Sequence, residues 1–155
     1  MFLPAALSDW VDVFRRGHDP LMAGVIPPHV TVVHDLDAET EARLSLVPAA
    51  IQPFRLHLGR AIRLDERPLK GVALAVNDYE DGLARLCNAL GTRKPSLPHV
   101  TLLNPRNVRD DEQAERSWRA LRDVSFGDEF RVDTVAVVEE GGDVWREVGR
   151  LALGR

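Results

Sequence analysis

The chain has 155 residues, 45% of them hydrophobic, which is enough to bury one compact core and excludes disordered and fibrous classes. Its 24 acidic and 20 basic residues leave a formal charge of −4, so no overall positive field exists to hold long double-stranded nucleic acid. The single cysteine, Cys87, excludes an internal disulfide, no apolar run is long enough to span a bilayer, and MFLPAALSDW lacks the basic start and long apolar core of a leader; a cytoplasmic protein is expected.

In chain order, Ser8 is read as the cap of a helix through Arg15, with Trp10, Val11 and Phe14 as its apolar stripe and Gly17 and Pro20 as its end. Pro28-His29-Val30-Thr31-Val32-Val33 reads as a strand, in which His29 and Thr31 share one face and Val30 and Val32 the other. Asp37 is expected to cap a helix over about residues 38–47, stopped by Pro48, with Leu44 and Val47 buried. Strands follow at Phe54-Arg55-Leu56-His57-Leu58, which alternates, and at Gly71-Val72-Ala73-Leu74-Ala75-Val76, which is apolar throughout and so covered on both faces.

The same order then returns. A helix is expected from Asn77 or Asp78, burying Leu83, Leu86, Cys87 and Leu90 and stopping at Gly91. Pro98-His99-Val100-Thr101-Leu102-Leu103 repeats the first histidine phrase 70 residues on. Asp110 and Gln113 form a capping box for a helix that turns Ala114, Trp118 and Leu121 inward. A strand over 130–138 and another over 145–148 are joined by a hairpin at Glu140-Gly141-Gly142-Asp143, and Phe130-Arg131-Val132 echoes Phe54-Arg55-Leu56. Helix, histidine strand, helix and two strands thus run twice, over about residues 1–77 and 78–155, with no linker between them. The expected fold is α+β: one bilobal domain whose pseudo-two-fold halves supply two antiparallel sheets around a central groove, helices outside.

Two histidines facing each other across a groove can act as base and acid on opposite sides of a phosphorus, because imidazole titrates near pH 6.5. His29 and His99 are the candidate pair, with the assignment of base and acid left open, and Thr31 and Thr101 are candidate donors to the non-bridging oxygens. Among the other histidines, His34 reads as a loop residue, His18 as a favourable charge at a helix C-terminus, and His57, beside Arg55 on the polar side of its strand, as a candidate groove residue. Lys70 and Arg106 are candidate substrate-binding residues, each with an ordinary surface charge as the alternative. Trp10, Trp118 and Cys87 read as core, which leaves few exposed rings.

The two phrases His29-Val30-Thr31 and His99-Val100-Thr101, with Asp19-Pro20, Pro53-Phe54-Arg55-Leu56 and the Trp145 to Leu153-Gly154 tail, resemble the two-histidine phosphoesterase superfamily, which includes the bacterial 2′-5′ RNA ligase-like proteins. The likeness covers nearly the whole chain. It implies a bilobal fold with a central groove, no metal or other cofactor, and action on 2′,3′-cyclic or 2′-5′-linked phosphodiesters by His29, Thr31, His99 and Thr101. Related sequences commonly carry an aromatic and a proline shortly after the first motif; Val33-His34-Asp35 stands there instead, so stacking at that edge is not expected. A monomer working on small nucleotides or RNA ends, away from membranes, is the expectation. Two other functions fit some of the same residues. One is a non-catalytic RNA or nucleotide-binding module; the other is a metallohydrolase using His29, His99 and His57, against which no His-x-x-x-His or Cys-x-x-Cys spacing is present.

Overall fold

A computed structural model describes residues 1–66, 69–124 and 126–154. Helix α1 spans Ala5–His18 and has Pro4, not Ser8, at its N-cap; the fixed φ of Pro4 and the strong helix formers Ala5, Ala6 and Leu7 start the helix a turn early, and the Ser8 N–H donates to the Pro4 carbonyl at 2.9 Å. Val11 is fully buried, whereas Trp10 is 36% exposed at the rim of the stripe, its ring edge-on to Phe126.

The first histidine phrase is not a strand of a sheet. It runs extended beside Met1–Leu3 through one bridge, Phe2 to His29, held by Leu3 N–H to the Pro28 carbonyl at 3.0 Å and Val30 N–H to the Met1 carbonyl at 2.8 Å. Prolines 27 and 28 have no N–H to lengthen this ladder, and its partner segment ends at Pro4, where α1 begins. The side-chain alternation survives, with Pro28 and Val30 buried and His29 and Thr31 half-buried.

Helix α2 (Ala38–Arg43) is capped by Asp37, whose carboxylate accepts from the Thr40 N–H at 2.7 Å. It gives way to a 3-10 turn at Leu44–Leu46 and then to α3 (Val47–Ala50), so the expected single helix over 38–47 is broken and Pro48 sits in the first turn of α3, where its missing N–H costs nothing. Strands β1 (Phe54–Glu66) and β2 (Leu69–Asn77) form a long antiparallel pair. Because β2 runs to Asn77, helix α4 (Gly82–Ala89) begins later than expected, and the Asp78 carboxylate accepts from the Leu83 and Ala84 N–H groups at 3.2 Å each. Leu83, Leu86, Cys87 and Leu90 are buried as expected.

The second phrase is a true strand, β3 (His99–Leu103). After it comes a 3-10 turn at Pro105–Asn107 and helix α5 (Asp111–Leu121), capped by Asp110 on the Gln113 N–H at 2.7 Å. Trp118 is half-buried beneath the Arg63 guanidinium, 4.9 Å from its ring. The expected single strand over 130–138 divides at Asp133 into β4 (Glu129–Val132) and β5 (Thr134–Gly141), which join different sheets; β6 (Val144–Ala152) pairs with β5 across a two-residue Gly142-Asp143 turn.

The fold is α+β, with a four-stranded antiparallel sheet ordered β3-β2-β1-β4, a two-stranded antiparallel sheet β5-β6, and helices outside. No described helix is long and apolar enough to cross a membrane. The core face of the larger sheet carries Phe54, Leu56, Leu58, Leu74, Val76, Val100, Leu102, Phe130 and Val132, all buried. Gly82 sits against this layer: a Cβ there would lie 2.1 Å from the Phe54 ring. Gly82→Ala, which would stabilise an ordinary helix, is therefore expected to cost about 1–3 kcal/mol by overpacking. A urea midpoint equal to or above that of the wild type would contradict this.

Candidate active site

Residues directly opposite in an antiparallel pair point to the same face, so register decides what meets what. His99 lies opposite Ala75 and Thr101 opposite Ala73; two residues beyond Ala75, Asn77 lies opposite His57, which in turn lies opposite Glu129. One face of the larger sheet thus carries His99, Thr101, Asn77, His57, Arg55, Glu129 and Arg131, while the alternate residues fill the core. Ala73 and Ala75 keep the floor between them low. Cation and carboxylate are interleaved here: Arg55 Nε is 3.1 Å from Glu129, and His57 Nε2 is 3.6 Å from the same carboxylate.

The two motif histidines are held alike. His29 Nδ1 is 2.9 Å from the Pro27 carbonyl and His99 Nδ1 is 2.8 Å from the Leu97 carbonyl, each two residues back along its own chain. A carbonyl only accepts, so Nδ1 carries the proton in both rings and the neutral imidazole presents a bare Nε2. Thr31 and Thr101 are both half-buried. The environments differ, however. Burial pushes the His29 pKa down from 6.5 to about 4, against a smaller opposing effect of the Pro27 hydrogen bond, with the nearby N-terminus, Arg15 and His34 adding repulsion.

That depression has a consequence for stability. The folded protein keeps His29 neutral, while the unfolded chain takes up a proton near pH 6.5, so this contribution is present above pH 6.5 and is lost as pH falls toward about 4. His29→Asn is expected to flatten the fall in melting temperature between pH 6.5 and 4. An unchanged slope would mean that His29 is not desolvated.

Arg15 connects the second motif to the segment that leads into the first. Its side chain is fully buried, and the guanidinium donates from Nε and Nη2 to the Thr101 carbonyl at 3.2 and 2.8 Å and from Nη1 to the Ile26 carbonyl at 2.9 Å. Burial lowers its pKa, and Asp12 and Asp19 partly offset this. The Asp19 carboxylate, 1% exposed, makes a parallel tie: it accepts from the Met22 N–H, from the Asn104 N–H after β3 and from the Asn107 side-chain amide. Arg15 has no role in the sequence reading, and Asp19 enters it only as part of the resemblance. The signal for Arg15 was its place four residues after Val11 on the apolar stripe of α1.

His57 lies on the same sheet face as His99, and its ring is 5.0 Å from that of Tyr79, the chain's one tyrosine and 73% exposed. Tyr79 supplies a free ring that the sequence reading did not include. Lys70 lies five residues along β2 from Ala75 and is ion-paired with Asp111 at 3.0 Å. Arg106, in the 3-10 turn after β3, is exposed and has no ion pair among the described residues. His18 lies in the last turn of α1 as expected, but burial, with Arg116 as the lesser cause, lowers its pKa, and its Nδ1 is 2.9 Å from the Ser117 hydroxyl. His34 is exposed and Cys87 is buried. Among the described residues no group of three or more His, Cys, Asp or Glu side chains is arranged to hold a metal ion.

Residues 3–144 match the family described as the 2′-5′ RNA ligase superfamily. The structure is similar to that of E. coli LigT complexed with 3′-AMP, at 24% identity and a TM-score of 0.62 over 99% of this chain and 94% of that one. It is also similar to TT0787 of Thermus thermophilus, at 16% identity and a TM-score of 0.63 over 98% and 94% of the two chains. At such identities these likenesses speak to the fold. No curated protein matches the sequence.

Proposed function

The chain belongs to the 2′-5′ RNA ligase superfamily, and from that premise we propose that it is a metal-independent phosphoesterase acting on 2′,3′-cyclic phosphate or 2′-5′ phosphodiester bonds of nucleotides or RNA ends. The observation that carries the proposal is the matched pair of imidazoles, His29 and His99, each with Nδ1 fixed on the carbonyl two residues back and each two residues ahead of a half-buried threonine. In this reading the groove lies between the first motif and the polar face of the larger sheet, and the halves 1–77 and 78–155 are related by a pseudo-two-fold axis. Pairing of Phe54-Arg55-Leu56 with Phe130-Arg131-Val132 supports that relation: Phe54 lies opposite Val132, Leu56 opposite Phe130, and Arg55 opposite Arg131, as an axis passing between the two arginines requires.

In hydrolysis of a cyclic phosphodiester, a water oxygen attacks phosphorus while a base takes the water's proton. His29 is the base in this assignment, because its low pKa leaves Nε2 free at neutral pH and the incoming phosphate charge raises that pKa toward the working range. The bond from phosphorus to one ribose oxygen breaks, and His99 Nε2–H protonates the departing oxygen. Thr31 and Thr101 hydroxyls donate to the non-bridging oxygens, where charge accumulates. The reverse sequence of steps joins the bond. His57, Lys70 and Arg106 remain proposed substrate contacts, of which Arg106 has the freest charge. The complex of LigT with 3′-AMP is in keeping with a nucleotide as ligand.

The test is turnover of 2′,3′-cyclic nucleoside monophosphates and 2′-5′-linked dinucleotides in excess EDTA. Activity that survives chelation supports the proposal. Binding without turnover on either substrate would assign the site to recognition alone, and chelator-sensitive turnover would overturn the metal-independent mechanism.

A further inference from the structure

We infer that a cavity beside His29 binds a second phosphate of the substrate through Arg131, so that the preferred ligand carries a phosphate beyond the reacting one. This rests on the phosphoesterase reading and deepens it. The cavity has a volume of about 400 Å³, within the range of small-ligand sites, and its lining includes Phe2, Arg131, Asp133, Thr134 and Arg150. Phe2 ties it to the candidate active site: Phe2 and His29 are bridge partners, their side chains share a face, and their rings meet edge-on with centroids 6.3 Å apart. Arg131 ties it to the other half of that site, because it lies on the sheet face that carries His57 and His99.

Of the charged side chains in the lining, Arg131, Arg150 and Asp133, the arginines decide what anion can bind, and they are not equally free. Arg131 stands directly opposite Arg55, an unfavourable pairing of like charges. Arg55 is neutralised by Glu129 at 3.1 Å, whereas Arg131 is exposed and has no ion pair among the described residues. Arg150 is already held, donating from Nε and Nη2 to the two Glu147 oxygens at 2.7 and 2.6 Å. Arg131 is thus the uncommitted guanidinium of the cavity, in a chain whose formal charge is −4. A guanidinium fits phosphate through two parallel N–H bonds. Asp133 and Thr134 offer acceptors for ribose hydroxyls, and the Phe2 ring offers an apolar surface for a base.

Such a phosphate has two sources, the internucleotide phosphate of an RNA end and the 5′-phosphate of a mononucleotide. Calorimetric titration of the protein with adenosine 3′-monophosphate, adenosine 3′,5′-bisphosphate and 3′-phosphorylated diadenylate separates them. At least one of the doubly phosphorylated ligands is expected to bind about tenfold tighter than the monophosphate, as one charge-assisted contact supplies. Arg131→Gln should abolish that gain and leave monophosphate affinity within about twofold, while Arg122→Gln, which removes the same charge at the end of α5, should leave the gain intact. A gain confined to the dinucleotide assigns the internucleotide phosphate; a gain shared by the bisphosphate assigns recognition of phosphate alone. Monophosphate binding with no gain, or a gain that survives Arg131→Gln, would overturn this inference and leave the proposed function standing. Failure of all three ligands to bind would overturn both.

Discussion

His29→Asn and His99→Asn are each expected to lower kcat on a 2′,3′-cyclic nucleotide by about 10²- to 10⁴-fold, the usual worth of a positioned acid or base, with little change in KM. Asparagine is the informative substitution because its side-chain amide can still donate to the Pro27 or Leu97 carbonyl that now receives Nδ1–H. Local structure should be kept and only the nitrogen proposed to transfer the proton lost. In the proposed mechanism the two imidazoles act in one displacement, so the double variant should be scarcely slower than the worse single one. The pH profiles carry the finer assignment. The wild type should show a bell whose limbs belong to the coupled pair; His29→Asn should lose the acidic limb, where the base must be unprotonated, and His99→Asn the basic limb. A His99 variant that loses the acidic limb instead would exchange the roles, and near-wild-type turnover in either variant would remove the two-histidine mechanism altogether.

The candidate site was legible in the sequence where chemistry and period coincide. A histidine and a threonine two residues apart in an apolar run must share a face, and that alternation holds at His29 and Thr31 as well as at His99 and Thr101. What the run pairs with was not legible. Among the described residues the backbone of the first phrase pairs only with Met1–Leu3, between one proline pair and Pro4, while β3 pairs with Val72–Ala75 of β2; the prolines were visible, but their effect depends on a partner far away in sequence. The division at Asp133 was hidden for a related reason. Residues 130–138 keep a mostly strand-like composition, and the break shows only in their partners, β4 pairing with β1 and β5 with β6. Arg15 was given no role in the sequence because arginine is rarely buried, although its position on the stripe with Val11 placed it inward. Its acceptors come from residues 26 and 101, and no local pattern reports a contact across 86 positions.

Arg15→Met is expected to destabilise the fold by about 2–4 kcal/mol, because it keeps the buried stem but strips donors from the Thr101 and Ile26 carbonyls, and an unsatisfied buried polar group costs about 1–3 kcal/mol. Removing the charge also relieves its own desolvation, which keeps the net loss below the sum of three charge-assisted bonds. Arg15→Lys tests the geometry. An ammonium retains the charge and its burial cost, yet it cannot reproduce the fork that reaches Thr101 from Nε and Nη2 while Nη1 reaches Ile26. Lysine should therefore be no better than methionine, contrary to a ranking by charge alone. Both should lower the urea midpoint with the slope unchanged, since the native packing of α1 against β3 loses a tie and not its surface. The same tie holds the strand of His99 and Thr101 against the segment entering His29, so kcat should fall with stability even under conditions where the variants remain folded. A lysine variant as stable and as active as the wild type would show that Arg15 supplies charge to this interface and not its geometry.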